Sequence, residues 1–299
     1  MLSRTIWVGL IVAALSLTGA AQMTELQRAT ALAMKGKRGS AVVIDVVSNR
    51  VLASVNLAGA ARRVVRPGSA VKPFTLLALL STGNVAPATA ISCRGKFTIA
   101  GHTFQCGHPA NTGPLDGATA LAYSCNDYFT TLAPRLTPVE LQQAFLQAGL
   151  ASPSGLVPQE ATGHVELSAS REQLQLQAIG TENVLTTPLA MLRAYRDLAL
   201  LRRGPSDTTH ETVYAGLEAG GSLGLGRLAQ PTGTFQVAGK TGTARASEGP
   251  WTHGWFLGFA PADKPEVALV VFLERGTGPA DAAPVAGRIF TAYARQRQH

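Results

Sequence analysis

The chain has 299 residues, of which 46% are hydrophobic and 15% charged; that is enough apolar material for a sizeable core, and it excludes a wholly disordered protein. The formal net charge is +8, or +7 without Arg4 and the rest of the first 22 residues. Basic residues are scattered and aromatics make up only 6%, so the basic stripe with interleaved aromatics of a nucleic-acid binder is missing and no nucleic-acid partner is expected.

The first 22 residues read as a targeting segment. Arg4 gives a positive start, Ile6 to Leu17 an apolar stretch, and Gly19-Ala20-Ala21 the small residues of a cleavage site. The apolar stretch is shorter than the roughly 20 residues that span a bilayer. A cleaved signal peptide is therefore favoured over an uncleaved membrane anchor, and membrane contact is expected only from the latter. Either way the body of the protein is expected outside the cytoplasm, in the periplasm or on the outer face of the membrane.

Residues Thr24 to Met34 combine strong helix formers with a capping hydroxyl, and Gly36 ends the pattern. Ser40 to Val47 reads as a strand, Ser48-Asn49-Arg50 as a turn and Val51 to Leu57 as the returning strand. From Pro67 to about Gly204 the pattern is mainly helical, with apolar residues at helical spacing over Leu121 to Leu132, Pro138 to Ala148, Arg171 to Gly180 and Pro188 to Arg203. Asp116 and Thr137-Pro138 are helix-start signals. From Thr234 the period becomes that of strands, over Thr234 to Ala244, Trp255 to Ala260 and Val267 to Glu274, and Ala283 to Arg295 closes the chain as a helix. The expected class is α/β in the α+β sense: an antiparallel sheet built from both chain ends, flanked by helices, with a mainly helical subdomain inserted. The sheet part is expected over about 23–66 and 231–299, and the helical part over about 67–230.

Cys93 and Cys106 lie in a segment rich in Gly, Thr and Asn that reads as a loop. In an exported chain a Cys93–Cys106 disulfide, or free thiols, is favoured over a zinc site completed by His102 and His108, because the four lack a paired C-x-x-C spacing. Cys125 is left over and reads as a small buried residue.

Three short motifs carry chemistry. Ser69-Ala-Val-Lys72 is the only S-x-x-K in the chain, and at the start of a helix its first and fourth residues share a face. A serine hydroxyl needs a base to become a nucleophile, and a lysine is one only when burial or nearby cations lower its pKa. Ser124-Cys125-Asn126 offers a hydroxyl for proton transfer and an amide for substrate binding. Lys240-Thr241-Gly242-Thr243 lies in an expected strand, where the lysine suits a carboxylate and the glycine lets an extended substrate come close. Each alone is weak. In this order they form the S-x-x-K, S-x-N and K-T-G set of β-lactamases and penicillin-binding proteins.

The surrounding residues resemble the transpeptidase domain of class B penicillin-binding proteins in particular. The likeness rests on Ser69-Ala-Val-Lys-Pro-Phe74, Ser124-Cys-Asn-Asp-Tyr-Phe129, Ala178-Ile-Gly180, Val184 to Met191, Gly239-Lys-Thr-Gly-Thr-Ala244 and Gly254 to Ala262, and runs from about Ser40 to Tyr293. It implies a β-lactamase/transpeptidase-like fold and D,D-transpeptidase or D,D-carboxypeptidase activity on peptidoglycan stem peptides ending in D-Ala-D-Ala. β-Lactams are implied as mimics, and proteins of cell-wall synthesis or remodelling as partners, with no metal or cofactor. Carried over by position, Ser69 would be acylated, Lys72 would be the base, and Ser124 and Asn126 would assist proton transfer and hold substrate. Lys240 and Thr241 would position the substrate carboxylate beside Gly242, and the N–H groups of Ser69 and Thr243 would form the oxyanion hole. Class B proteins carry a large N-terminal pedestal, for which some forty residues before the hairpin are too few, so a stand-alone catalytic domain is expected.

Rival readings have weaker support. Gly220-Gly-Ser-Leu-Gly224 matches the hydrolase elbow but follows an apparent helix, not a strand. A class A β-lactamase would use a glutamate with a nearby asparagine; Glu160 and Glu166 fall in the right interval, yet the asparagine is absent. Class D enzymes carry Tyr-Gly-Asn where this chain has Ser-Cys-Asn. A non-catalytic sensor or structural partner is disfavoured by the intact motif set.

Overall fold

A computed structural model describes residues 23–109, 112–231 and 235–298. The expected leader, residues 1–22, lies outside them, and no described helix is long and apolar enough to cross a membrane.

Thr24 caps α1 (Glu25–Ala33) by accepting from the Gln27 N–H. The hairpin of β1 (Gly39–Asp45) and β2 (Val51–Val55) follows, then the short α2 (Leu57–Arg62). A 3-10 turn over Gly68–Val71 leads into α3 (Lys72–Ser81), with Pro73 in the first turn, where its missing N–H costs nothing. Next come β3 (Lys96–Ile99) and β4 (His102–Gln105), α4 (Gly117–Ala122), α5 (Asn126–Leu132) and α6 (Pro138–Gln147). Thr137 and Glu140 close a capping box on α6. The two-residue strands β5 (His164–Val165) and β6 (Val184–Leu185) pair around α7 (Arg171–Ala178), and α8 (Pro188–Arg202) and α9 (Thr208–Ser222) complete the helical part. β7 (Ala238–Arg245), β8 (Thr252–Ala260), β9 (Val267–Leu273) and α10 (Ala283–Gln296) end the fold.

The five-stranded sheet runs β2-β1-β9-β8-β7, antiparallel throughout, so the two chain ends meet where β1 pairs with β9. Every residue of β9 is buried, as befits a central strand covered on both faces. On one face Val43, Leu269, Val271 and Phe256 pack against α1 and α10 through Leu26, Ile289 and Phe290. On the other, Val42, Val270, Trp255 and Leu257 join the core of α3, α5, α6, α8 and α9. This is the expected mixed α/β architecture, with β7 left as an open edge beside the start of α3.

Two local expectations are corrected. The helix read over Leu121 to Leu132 is broken: α4 stops at Ala122, Ser124 adopts a left-handed φ of 56°, and Cys125 becomes the residue before α5. The segment from Cys93 to Cys106 is not a loop but holds the β3–β4 hairpin, with Phe97 stacked on Phe104. Both the break and the hairpin border the site.

Candidate active site

The three motifs converge. Ser69 sits half-buried in the 3-10 turn before α3, and Lys72, three residues on, is fully buried at the first position of the helix. The Tyr195 hydroxyl donates to the carbonyl of Ala70 at 2.8 Å, and the Thr75 hydroxyl to that of Ala178 at 2.8 Å, pinning this turn from α8 and α7. Gly68, before the nucleophile position, has a φ of 54°, and a side chain there would begin 2.5 Å from the carbonyl oxygen of Thr243. Only glycine suits both that conformation and that approach. Gly242 meets the same turn from the other side, where an added Cβ would lie 2.6 Å from the Pro67 carbonyl.

The Lys72 amine donates to the Ser124 carbonyl at 2.8 Å, to the Ser124 hydroxyl at 3.3 Å and to Asn126 Oδ1 at 2.6 Å. The left-handed turn at Ser124 makes this possible, because it aims both a carbonyl and a hydroxyl back at the lysine. Among the described residues no hydrogen bond joins Lys72 to Ser69; Ser124 stands as the lysine's hydroxyl partner. Burial pulls the Lys72 amine from its ordinary 10.5 down to about 7, against the opposing influence of the nearby Cys125 and Cys106 thiols. An amine balanced near neutrality can take a proton and return it within one cycle.

Lys240 is also buried and donates to the carbonyl of Thr241 at 3.0 Å. Burial, and then the charge of Lys72, hold its amine well below the usual lysine range. The Ala246 N–H donates to Trp251 within the β7–β8 ladder, so by the alternation of an antiparallel pair the N–H and C=O of Thr243 face the open edge. The Ser69 amide stands in a first turn, where helical N–H groups have no intrahelical acceptor. The site can therefore offer a hydroxyl nucleophile, a buried amine, a second hydroxyl, an amide and two backbone donors within one cleft.

Sequence reasoning missed the support beneath the S-x-N turn. Asp127, 1% exposed, accepts from the backbone N–H of Arg94 at 2.6 Å and from Arg94 Nε at 2.9 Å, with Nη2 closing a bidentate pair. It ties α5 to the strand leading into β3. The signal was present, since the aspartate directly follows the motif.

The cysteines also differ from expectation. Cys93, Cys106 and Cys125 are all free, and no Cys93–Cys106 bridge is formed. Cys125, set apart in the sequence as a packing residue, lies with its Sγ 3.8 Å from that of Cys106. The three thiols and a ring nitrogen of His108 lie within 4.8 Å of one another, whereas His102 points elsewhere, to Glu182 at 3.4 Å. The hydrogen bond from Cys125 holds the Cys106 thiol below the ordinary thiol range and pushes Cys125 above it. His108 Nε2 is buried without a partner, while Nδ1 lies 3.1 Å from the Pro109 carbonyl, the second-sphere contact typical of a metal-binding histidine. Zinc–thiolate bonds of about 2.3 Å in a tetrahedron put sulfurs about 3.8 Å apart. These four side chains fit a structural zinc ion, with ligands from both arms of the hairpin and from the S-x-N turn itself.

The decoys resolve as structure. Gly220 to Ser222 end α9, with no strand before them. His253 is buried against Phe272 and bonded to the Glu274 carbonyl at 2.9 Å. Glu160 accepts from the backbone N–H groups of Ser154, Leu156 and Val157 and so closes its own loop, while Glu166 is exposed.

The chain is 27% identical to the peptidoglycan D,D-transpeptidase MrdA of Acinetobacter baumannii over 80% of its own length and 44% of that protein. It is 26% identical to FtsI of Escherichia coli over 91% of itself and 53% of that protein; the chain thus spans about half the length of these curated relatives. Among solved structures, the transpeptidase domain of Burkholderia pseudomallei penicillin-binding protein 3 superposes with a TM-score of 0.79 at 24% identity, over 91% of this chain and 94% of that one. Pseudomonas aeruginosa PBP2, solved in complex with WCK 5153, gives 0.77 at 24% identity, over 90% and 76%. The family model described as the penicillin binding protein transpeptidase domain matches residues 39–293, and the chain belongs to that family.

Proposed function

We propose that this chain is a peptidoglycan D,D-transpeptidase that works through a serine acyl-enzyme at Ser69. The observation that carries the reading is the buried Lys72, its amine lowered to about 7 and bonded to Ser124 and Asn126.

In this reading a stem peptide ending in D-Ala-D-Ala lies along the open edge of β7, its terminal carboxylate directed to Lys240 and Thr241. Neutral Lys72 takes the Ser69 proton, directly or through the Ser124 hydroxyl, as Oγ attacks the penultimate carbonyl. The N–H groups of Ser69 and Thr243 stabilise the oxyanion. Collapse expels D-alanine, whose amine receives its proton from the Lys72–Ser124 pair. An amine of a second stem peptide then attacks the acyl-enzyme, with the same pair as base; water in its place gives the carboxypeptidase reaction. A β-lactam would acylate Ser69 by the same steps without a leaving group that departs. With Glu160 committed to its own loop and Glu166 exposed, neither serves as a base for clearing a β-lactam, which disfavours the lactamase reading. Export to the periplasm or the outer membrane face, where the polymer lies, belongs to this reading, as do partners among cell-wall synthesis proteins. PBP2 of Helicobacter pylori, a fold neighbour, was solved as a complex with MreC.

The test is D-alanine release from a D-Ala-D-Ala pentapeptide, with and without an added amine acceptor. Wild type releases D-alanine and forms the cross-linked product, whereas Ser69→Ala does neither. Release by Ser69→Ala at the wild-type rate overturns the proposal.

A further inference from the structure

A cavity of about 560 Å³ opens next to the nucleophile, bounded there by Gly68 and Thr243. It extends away from Lys240 towards the tip of the β3–β4 hairpin and the turn after α7, and four charged or titratable side chains line it: Arg66, Arg245, His102 and Glu182. Glu182 has a single cross-cavity contact, 3.4 Å to His102 Nε2, which joins the turn to the hairpin. Arg66 and Arg245 differ from most arginines of this chain. Neither forms a salt bridge with a carboxylate among the described residues. Two uncommitted guanidiniums in a concave wall are a carboxylate receptor, since each presents a planar fork of donors. A carboxylate on the same surface suits an ammonium.

Resting on the acyl-enzyme reading above, we infer that this cavity is a side-chain subsite that selects stem peptides whose diamino-acid residue carries a free carboxylate beside its amine. The carboxylate pairs with Arg66 and Arg245, and the ammonium pairs with Glu182. Both arginines stand close to the reacting centre in the chain: Arg66 three residues before Ser69, and Arg245 two residues after Thr243. A charged pair formed here fixes the donor peptide along the cleft as its carbonyl reaches Ser69. The subsite is distinct from Lys240 and Thr241, which face the peptide's C-terminal carboxylate.

The experiment compares three pentapeptides ending in D-Ala-D-Ala whose third residue is a diaminodicarboxylic acid, the same residue with its side-chain carboxylate amidated, or lysine. On the wild type, kcat/KM for D-alanine release is expected to favour the free carboxylate over both others by about tenfold to a hundredfold, the range of a charge-assisted bidentate contact. Arg245→Gln and Arg66→Gln each reduce that ratio towards one, and Arg245→Glu turns it towards the lysine peptide. The readout is a ratio between peptides on one protein, so a general loss of folding or of Ser69 chemistry lowers all three rates together; benzylpenicillin acylation measured alongside tracks that loss. Equal use of the three peptides by a wild type that acylates penicillin overturns the subsite and leaves the acyl-enzyme reading intact. A preference for the free carboxylate that survives both glutamine variants overturns the assignment to these arginines. Failure of every peptide and of penicillin overturns the acyl-enzyme reading itself.

Discussion

Lys72 and Asn126 are 54 residues apart in the chain and 2.6 Å apart at Nζ and Oδ1. That one contact joins the first turn of α3 to the first turn of α5 and places a buried amine against the S-x-N turn. The reactivity of Ser69 follows from how the charge on that amine is balanced. Burial disfavours the ammonium, while three acceptors favour it.

Acylation is therefore expected to depend on pH through Lys72. The neutral amine is the base, so the acylation rate rises with pH, has its midpoint near 7 and levels off above. Stopped-flow acylation by a chromogenic β-lactam measures it. The unfolded chain holds its lysine proton up to about 10.4, so between 7 and about 10 the unfolded state binds more protons than the folded state at this residue. The stability of wild type relative to Lys72→Met accordingly improves as pH rises through that window. A rate that falls as pH rises from 6 to 8 contradicts the assignment of Lys72 as base.

Ser124 is the hydroxyl bonded to the catalytic amine, and its loss removes the proton path while leaving Ser69 in place. Ser124→Ala should lower the acylation rate by about a hundredfold or more, within the range of a general acid–base contribution. Its thermal midpoint should change little, because the backbone carbonyl of Ser124 still receives the Lys72 bond.

Gly68→Ala is expected to fail for a different reason. Its φ of 54° costs a non-glycine residue about 1–2 kcal/mol, and the added methyl would press on the Thr243 carbonyl, displacing β7 from the turn. Urea unfolding should show the destabilisation, and acylation should drop with it. Gly36→Ala, at a φ of 75° with open space around its Cβ, bears the strain without the clash and serves as the control.

The Cys93, Cys106, His108 and Cys125 cluster should take up about one zinc ion per chain. Elemental analysis of protein purified without chelator reads the ratio, and chelation should lower the melting temperature, since the ion would tie the hairpin to the S-x-N turn. Cys106→Ser should lose both the metal and the chelator sensitivity. Three freely titrating thiols with no change in melting temperature on adding zinc would contradict a metal site.

Much of this was legible in the sequence because the relevant signals are local. The strands of the sheet, the caps at Thr24 and Thr137, and Pro73 in the first turn of α3 all follow from short-range preferences. The order of three motifs located the cleft. The features that were missed depend on non-local partners. The break at Ser124 has no glycine or proline to announce it, and a helical period runs straight across it; the turn is held by what surrounds it, notably Lys72 beneath and the Asp127–Arg94 pair behind. The β3–β4 hairpin is short and mostly exposed, so its alternation is weak. The thiol cluster was hidden because spacing was judged along the chain, whereas Cys93, Cys106, His108 and Cys125 come together only once the hairpin folds back over the S-x-N turn.

The central claim is that Ser69 is the acylated residue, and intact-mass spectrometry of the full chain incubated with benzylpenicillin tests it most directly. The account expects a stable adduct of one penicilloyl group per wild-type chain and none on folded Ser69→Ala. An adduct of equal stoichiometry on Ser69→Ala, or no adduct on folded wild type at any time, would contradict it.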